Sequence, residues 1–400
     1  MKLWRRPFRL AFDAVDRTLA RVSRTRRVLV HVRTTMHAGI LEPVMRALAR
    51  DARVQVRYIG ERAGSEAEIE ASIGRRLEWL PPDRAAWTRI DLFVSADPWG
   101  PPVLRRCRRR LNFFHGVAGK YDLDNPSALP IGFEEYDRVA FINADRMRRY
   151  LANGIVSPAA AVLVGFPKAD ALVHGDYDGP AIRRELGLDA ERRTAIYAPT
   201  WSPASSLHLA GEDIVQSLVD AGWNVIVRPH ARSFDPDPQY SGGIDWRSRL
   251  GAVERPGRVV VATGADASPL LAASDLMVTD HSTIGFEFCL VNRPLIVFDA
   301  PDLPRVARIN PERVALLRSA ARVVDRAAAL GAAADEEAAD PMRLAPARQA
   351  VARSLFHDPG GATARALAVA YELLRLDPLP AASSQPVVER PRPALVTTAR

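Results

Sequence analysis

Four short segments gather side chains that can bind phosphate or move a proton. In Phe113-Phe114-His115-Gly116-Val117-Ala118-Gly119-Lys120, an apolar run delivers an imidazole into a loop with two glycines, and a lysine follows five residues after the histidine. A histidine near its ordinary pKa of ~6.5 can take the proton of an attacking hydroxyl, and Gly116 lets a substrate come close. A histidine that only bonds a loop carbonyl would look the same. Tyr197-Ala198-Pro199-Thr200-Trp201 runs from a strand pattern into a proline turn, leaving a hydroxyl and an indole to line a cleft or to pack in the core. Val227-Arg228-Pro229-His230 puts a guanidinium and an imidazole at a strand end. Arginine can grip phosphate oxygens in two-pronged fashion, although an ordinary surface turn has the same composition.

The fourth segment is the most specific. Ser274 to Thr283 reads as a strand that delivers Asp280, followed by the hydroxyls of Ser282 and Thr283 where a helical pattern, Ile284 to Val291, begins. A helix start offers free N–H groups to an anion, and the two hydroxyls can add bonds to a phosphate. Glu287 would then stand one to two turns into the helix, within reach of a ribose hydroxyl; the competing account is an N-cap and a solvated glutamate. The sequence contains no P-loop, GxGxxG, HExxH or GxSxG pattern, so kinase, dehydrogenase, zinc protease and α/β-hydrolase chemistry find no support.

All four segments sit at the ends of short β-branched runs that alternate with helical patterns. Strands are predicted at 28–32, 54–59, 92–95, 111–114, 139–142 and 161–164, then at 195–198, 225–227, 259–261, 276–279, 295–298 and 322–324. Helical patterns include 40–49, 66–73, 145–152, 213–220 and 362–376. Repeated β-α-β units predict parallel sheets covered by helices on both faces. Two series of similar size predict two Rossmann-like domains, 27–170 and 171–376, with the join near Gly165 to Pro180 and a loose proline-rich tail at 377–400. In such sheets, ligands bind beyond the carboxyl ends of the strands, where the four segments lie.

The chain of 400 residues is 48% hydrophobic and 26% charged, enough to bury real cores. Two cysteines, Cys107 and Cys289, are too few for a disulfide framework or a zinc site and fit a reducing cytosol. No run is apolar for long enough to span a bilayer, and no signal-peptide pattern opens the chain. Residues 1–27 hold nine Lys or Arg against Asp13 and Asp16, and so most of the net charge of +8. Trp4, Phe8, Phe12, Val15, Leu19 and Val22 recur there at helical spacing. A basic amphipathic helix over 1–26 is therefore predicted, able to lie on an anionic membrane surface or to pack on the body of the protein. A second basic run at Arg105 to Arg110 either adds to that face or forms a solvated helix. No nucleic-acid reader module is recognisable, so a nucleic-acid partner is not expected.

Taken in order, the motifs resemble the CDP-glycerol:poly(glycerophosphate) glycerophosphotransferase family, the teichoic-acid-type polymerases and primases. The likeness spans roughly residues 110 to 375. It includes His-Gly-x-x-x-Lys at His115, Gly-x-Pro-Lys-x-Asp at Gly165 to Asp170, Tyr-Ala-Pro-Thr-Trp at 197–201 and Arg-Pro-His at 228–230. Ser-Asp-x-x-x-Thr-Asp-x-Ser at 274–282, Asn292-Arg293-Pro294 and His357-Asp358-Pro359-Gly360-Gly361 with Arg365 complete it. The resemblance implies a GT-B fold and transfer of glycerol phosphate from CDP-glycerol to a hydroxyl of a lipid- or glycan-linked acceptor, with CMP released. No cofactor is expected beyond the CDP-glycerol donor; no dense carboxylate cluster demands a divalent ion, although a diphosphate can bring one. His115 would be the base, His230 with Arg228 would bind the diphosphate, and Ser282 and Thr283 would hold phosphate. It also implies a cytoplasmic protein at the inner membrane face. The family commonly has Tyr-Ser-Ser where this chain has His281-Ser282-Thr283, and Thr-Pro where it has Val117-Ala118. Another CDP-alditol such as CDP-ribitol therefore remains open as donor. So do a glycosyltransferase or epimerase using a UDP-sugar, and a non-catalytic membrane-surface role.

Overall fold

The computed structural model describes residues 25–61, 64–97, 99, 102–114, 116–124, 126, 133–379 and 396–397. The first lobe is a parallel sheet of β1 (Arg26–Val32), β2 (Val54–Gly60), β3 (Leu92–Ser95), β4 (Arg110–Phe113), β5 (Arg138–Phe141) and β6 (Ala161–Leu163), in the order β2-β1-β3-β4-β5-β6. The second lobe contains β7 (Thr194–Ala198), β8 (Asn224–Val227), β9 (Val259–Thr263), β10 (Leu276–Thr279), β11 (Leu295–Phe298) and β12 (Arg322–Val324). Its order is β12-β11-β10-β7-β8-β9, also parallel. A two-residue strand, β13 (Val396–Thr397), pairs antiparallel with β9 at the outer edge. Every predicted strand is present; the central ones, such as Leu92–Ser95, are buried on both faces and read as continuous apolar runs.

The second sheet reverses direction between β7 and β10, which leaves a crevice beyond their carboxyl ends. In the first sheet the reversal falls between β1 and β3. Both crevices open on the side from which the predicted chemical segments emerge.

The closing helix, Ala362–Leu374, does not pack with the second lobe in which the sequence placed it. Ala366, Val369, Ala370 and Leu374 are buried with Val30, Val94 and Leu111 in the core of the first. Asp170 fastens it there: its carboxylate accepts the N–H groups of Gly360 (3.1 Å), Ala362 (3.2 Å) and Thr363 (2.6 Å) at the helix start. Gly165 has φ +91°, and a Cβ there would stand 2.6 Å from the His357 carbonyl oxygen. The Gly165–Asp170 motif is thus the joint at which the first lobe, the crossing and the last helix meet.

The predicted basic helix lies almost wholly outside the described residues; its last member, Arg26, already begins β1. The run at Arg105–Arg110 is a turn leading into β4 rather than a helix. Its arginines find carboxylates across the sheet edge, Arg109 with Asp137 and Arg110 with Glu135. Most of the 377–400 tail also lies outside the described residues. Among the described residues no helix is long and apolar enough to cross a membrane.

Candidate active site between the two lobes

Two turns of the second lobe meet at its switch point, and a buried carboxylate ties them together. Asp280, at the end of β10, is fully buried. One of its oxygens accepts the Thr200 N–H (3.0 Å), and the other accepts the N–H (3.1 Å) and hydroxyl (3.0 Å) of Ser206. Burial raises its pKa, opposed by the charge of Lys120 and by these bonds. Asp280 therefore holds the Pro199–Ser206 turn in place, where the sequence had suggested a substrate contact. Thr200 is buried by the same arrangement.

The first lobe contributes the Gly116–Lys120 loop. Arg146 anchors it by donating to the Gly116 carbonyl (2.6 Å), and Asn143 donates to that of Val117 (3.3 Å). The loop closes on the second lobe, so that Ala118, Gly119 and Lys120 line one cavity with His281, Thr283, Phe286, Ile309, Arg313 and Leu317. Lys120 is pushed down to about 8 by burial, partly offset by Asp280. Its Nζ lies 6.0 Å from the centre of the Trp201 ring. Tyr121 stacks on the same indole at 5.5 Å, and His230 approaches it at 6.2 Å. The His230 Nδ1 accepts the Arg232 N–H (3.1 Å), which in the neutral ring leaves the proton on Nε2. Lys120, Trp201 and His230 thus form one wall, with Asp280 behind it and Thr283 beside it.

Two predicted contacts belong to a neighbouring buried cluster instead. Glu287 Oε2 accepts from Lys168 Nζ at 2.9 Å, with Asp266 at 3.7 Å from the same ammonium. The carboxylate expected to reach a ribose is thus engaged in an ion pair. Arg228 donates to the carbonyls of Pro229 (2.9 Å) and Gly264 (2.6 Å). Burial pulls its pKa down, opposed by the charges of Asp266 and Glu287. Ser282 is buried next to Thr283 but does not line the cavity. The helix after Thr283 covers only Ile284–Phe288, shorter than the predicted 284–291, so its dipole is small. His115 lies outside the described residues. Among the described residues, no group of three or more His, Cys, Asp or Glu is gathered to hold a metal.

The lobes are joined beside this cavity by charges that sequence reading did not find. Arg313, from the helix Pro311–Ser319, donates to Asp124 (2.7 Å) and Asp145 (2.6 Å) of the first lobe. Arg146 donates to the other Asp124 oxygen (3.0 Å). The positive neighbours hold the Asp124 carboxyl below its usual range although burial pushes it up. Nothing in the spacing of residues 124, 145 and 313 announces their meeting. His281 was in plain view inside the fourth motif, but a pattern search weighs the flanking aspartate and hydroxyls more heavily.

Two facing parallel sheets, with strand ends turned toward a shared crevice, define a GT-B-like protein. Residues 152–305 match the family model described as CDP-Glycerol:Poly(glycerophosphate) glycerophosphotransferase. The match takes in the motifs at Gly165–Asp170, 197–201, 228–230 and 274–294 and bears out the resemblance over that segment; the His115 and His357–Arg365 motifs lie outside it. The teichoic acid poly(glycerol phosphate) polymerase of Bacillus subtilis (strain 168) is 27% identical in an alignment of 154 positions that covers 35% of this chain and 18% of that protein. The matched part thus spans about a fifth of the curated relative. The solved wall teichoic acid polymerase TagF superposes with a TM-score of 0.65 at 15% identity, over 92% of this chain and 97% of that one. UDP-GlcNAc 2-epimerase from Neisseria meningitidis, bound to UDP-GlcNAc, gives a TM-score of 0.54 at 12% identity over 87% and 99%. At these identities the structural likeness establishes the fold.

Proposed function

We propose that this protein is a CDP-alditol phosphotransferase that moves glycerol phosphate from CDP-glycerol to a hydroxyl of a lipid- or glycan-linked acceptor in cell-surface polymer synthesis. The observation that carries the reading is the closure of the Gly116–Lys120 loop on the Asp280–Thr283 segment, at the switch point of a lobe whose sequence matches the glycerophosphotransferase family.

The acceptor oxygen attacks the phosphorus that bears glycerol, the bond from that phosphorus to the bridging oxygen breaks, and CMP leaves with the bonding electrons. His115 receives the acceptor proton. Charge accumulates on the leaving phosphate, and Lys120 and His230 stabilise it from the crevice wall. Phosphoryl transfer needs such positioning and charge stabilisation more than covalent participation by the protein. Thr283 offers a hydroxyl to a phosphate oxygen, while Asp280 and Arg228 act behind the surface by holding the turns in place.

A thermal-shift series with CDP-glycerol, CDP-ribitol, CMP, UDP and UDP-GlcNAc tests the donor. A ligand at ~100 times its Kd adds ~2.7 kcal/mol, a readily measured shift. Stabilisation by CDP-glycerol, with CMP released in the presence of a glycerophosphate-primed acceptor, supports the reading. Stabilisation by UDP-sugars alone would replace it with UDP-sugar chemistry, and no nucleotide binding at all would leave a non-catalytic protein. His115→Ala is expected to keep the thermal shift and lose most CMP release; full release would remove His115 from the mechanism.

A further inference from the structure

The cavity between the lobes has room for about 10 Å³, the space of one water or one oxygen atom. A nucleotide cannot enter it, but one atom of a ligand lying over its mouth can. Its polar lining consists of Lys120, His281, Thr283 and Arg313, and no carboxylate lines it. Ala118, Phe286, Ile309 and Leu317 supply apolar walls that exclude bulk water.

His281 is the side chain without an explanation. It is 5% exposed, and among the described residues neither ring nitrogen has a hydrogen-bond partner. A buried polar group left unsatisfied is costly, so such groups are rare unless something beyond the folded chain completes them.

We propose that this cavity is a socket for a single non-bridging phosphate oxygen of a nucleoside diphosphate ester, with the His281 N–H as the specific donor and Lys120 and Thr283 beside it. The inference rests on the donor-site reading above and adds to it a residue and the atom that residue reads. Burial, with Arg318 and Lys120 nearby, holds His281 down to about 4, only partly offset by Asp299. The free protein therefore presents a neutral ring with one N–H to donate. Arg313 is held by Asp124 and Asp145, so it shapes the wall.

The rival occupant is a water bridging the same donors, and ligand series distinguish the two. Wild type, His281→Phe and His281→Gln are titrated with CDP-glycerol, CDP, UDP and cytidine by calorimetry. A lost hydrogen bond to a charged oxygen is expected to weaken diphosphate binding about 10–100-fold in His281→Phe. Cytidine binding should stay unchanged, and His281→Gln, which keeps an N–H donor, should recover most of the loss. Equal affinities in wild type and His281→Phe would overturn the socket and leave a water in it. A uniform loss for cytidine and diphosphates alike would also overturn it, because the effect would then be structural. Should His281→Phe fail to fold, the ¹⁵N resonances of His281 in wild type serve instead: they should shift with CDP and stay still with cytidine, and equal response to both refutes the proposal. The socket reads phosphate rather than base. If wild type prefers UDP esters, the CDP-glycerol reading fails while a His281→Phe loss for UDP still supports the socket.

Discussion

Replacing Lys168 by methionine removes the ammonium that neutralises Glu287 and leaves most of the aliphatic stem in place. Both residues are nearly inaccessible, at 9% and 7% exposure, and Nζ stands 2.9 Å from Oε2. Water therefore cannot replace the lost partner. Removing one member of a buried pair typically costs about 3–5 kcal/mol, whereas replacing both by apolar groups is close to neutral. For a lobe of this size each kcal/mol lowers Tm by about 2–4 °C, so Lys168→Met is expected to lower it by roughly 6–20 °C. Lys168→Met/Glu287→Met should recover most of that loss, giving a coupling energy of about 2 kcal/mol or more in a double-mutant cycle. Calorimetric or circular-dichroism melts of the four proteins provide the measurement. A Tm change below about 3 °C in Lys168→Met, or singles that simply add in the double variant, would refute the reasoning. The double variant also separates a strut from a ligand contact: unchanged nucleotide affinity makes Glu287 a strut, and a selective loss makes it a contact.

Further outcomes follow from the same geometry. Lys120 titrates at about 8 against an ordinary 10.5, so between those values the unfolded chain holds the extra proton. Its burial therefore lowers stability at neutral pH, and the penalty fades as pH rises through that window. A bound diphosphate favours the ammonium, so calorimetry at pH ~8.5 in buffers of different ionisation enthalpy should show proton uptake that Lys120→Met abolishes. Arg313→Leu removes the cation shared by Asp124 and Asp145 and should cost about 2–4 kcal/mol, less than a fully orphaned charge because Arg146 still holds Asp124. A single melting transition at the wild-type temperature would count against that latch. Deleting residues 1–24 is expected to reduce co-sedimentation with anionic liposomes, with unchanged binding excluding an anchoring role for that basic stretch.

The central strands were legible because they are buried on both faces and so need an unbroken apolar run: Leu92–Ser95, Leu276–Thr279 and Leu295–Phe298 fall where their residues predict. Strand ends then located Lys120, Thr200, His230 and Asp280 near one crevice. Local patterns could not show which side chains face the opening. Asp280 and Thr200 look the same on paper whether they meet a ligand or each other. Only the packing of two turns at the switch point turned them inward. The α-helix Ile284–Phe288 is short because the N–H groups of Cys289 to Asn292 bond three residues back rather than four; Asn292, at φ +54°, then turns the chain toward β11.

Periodicity and strand-end chemistry thus determined the two sheets, the pair of lobes and the side of each lobe that carries polar residues, since these depend on neighbours a few positions apart. Tertiary structure alone decided that Arg313 meets Asp124 and Asp145, that Glu287 meets Lys168, that the last helix returns to the first lobe, and that His281 is buried without a partner. Those contacts join residues far apart along the chain. Their free energy comes from charges and polar groups removed from water together, and no local pattern of residues encodes such a meeting.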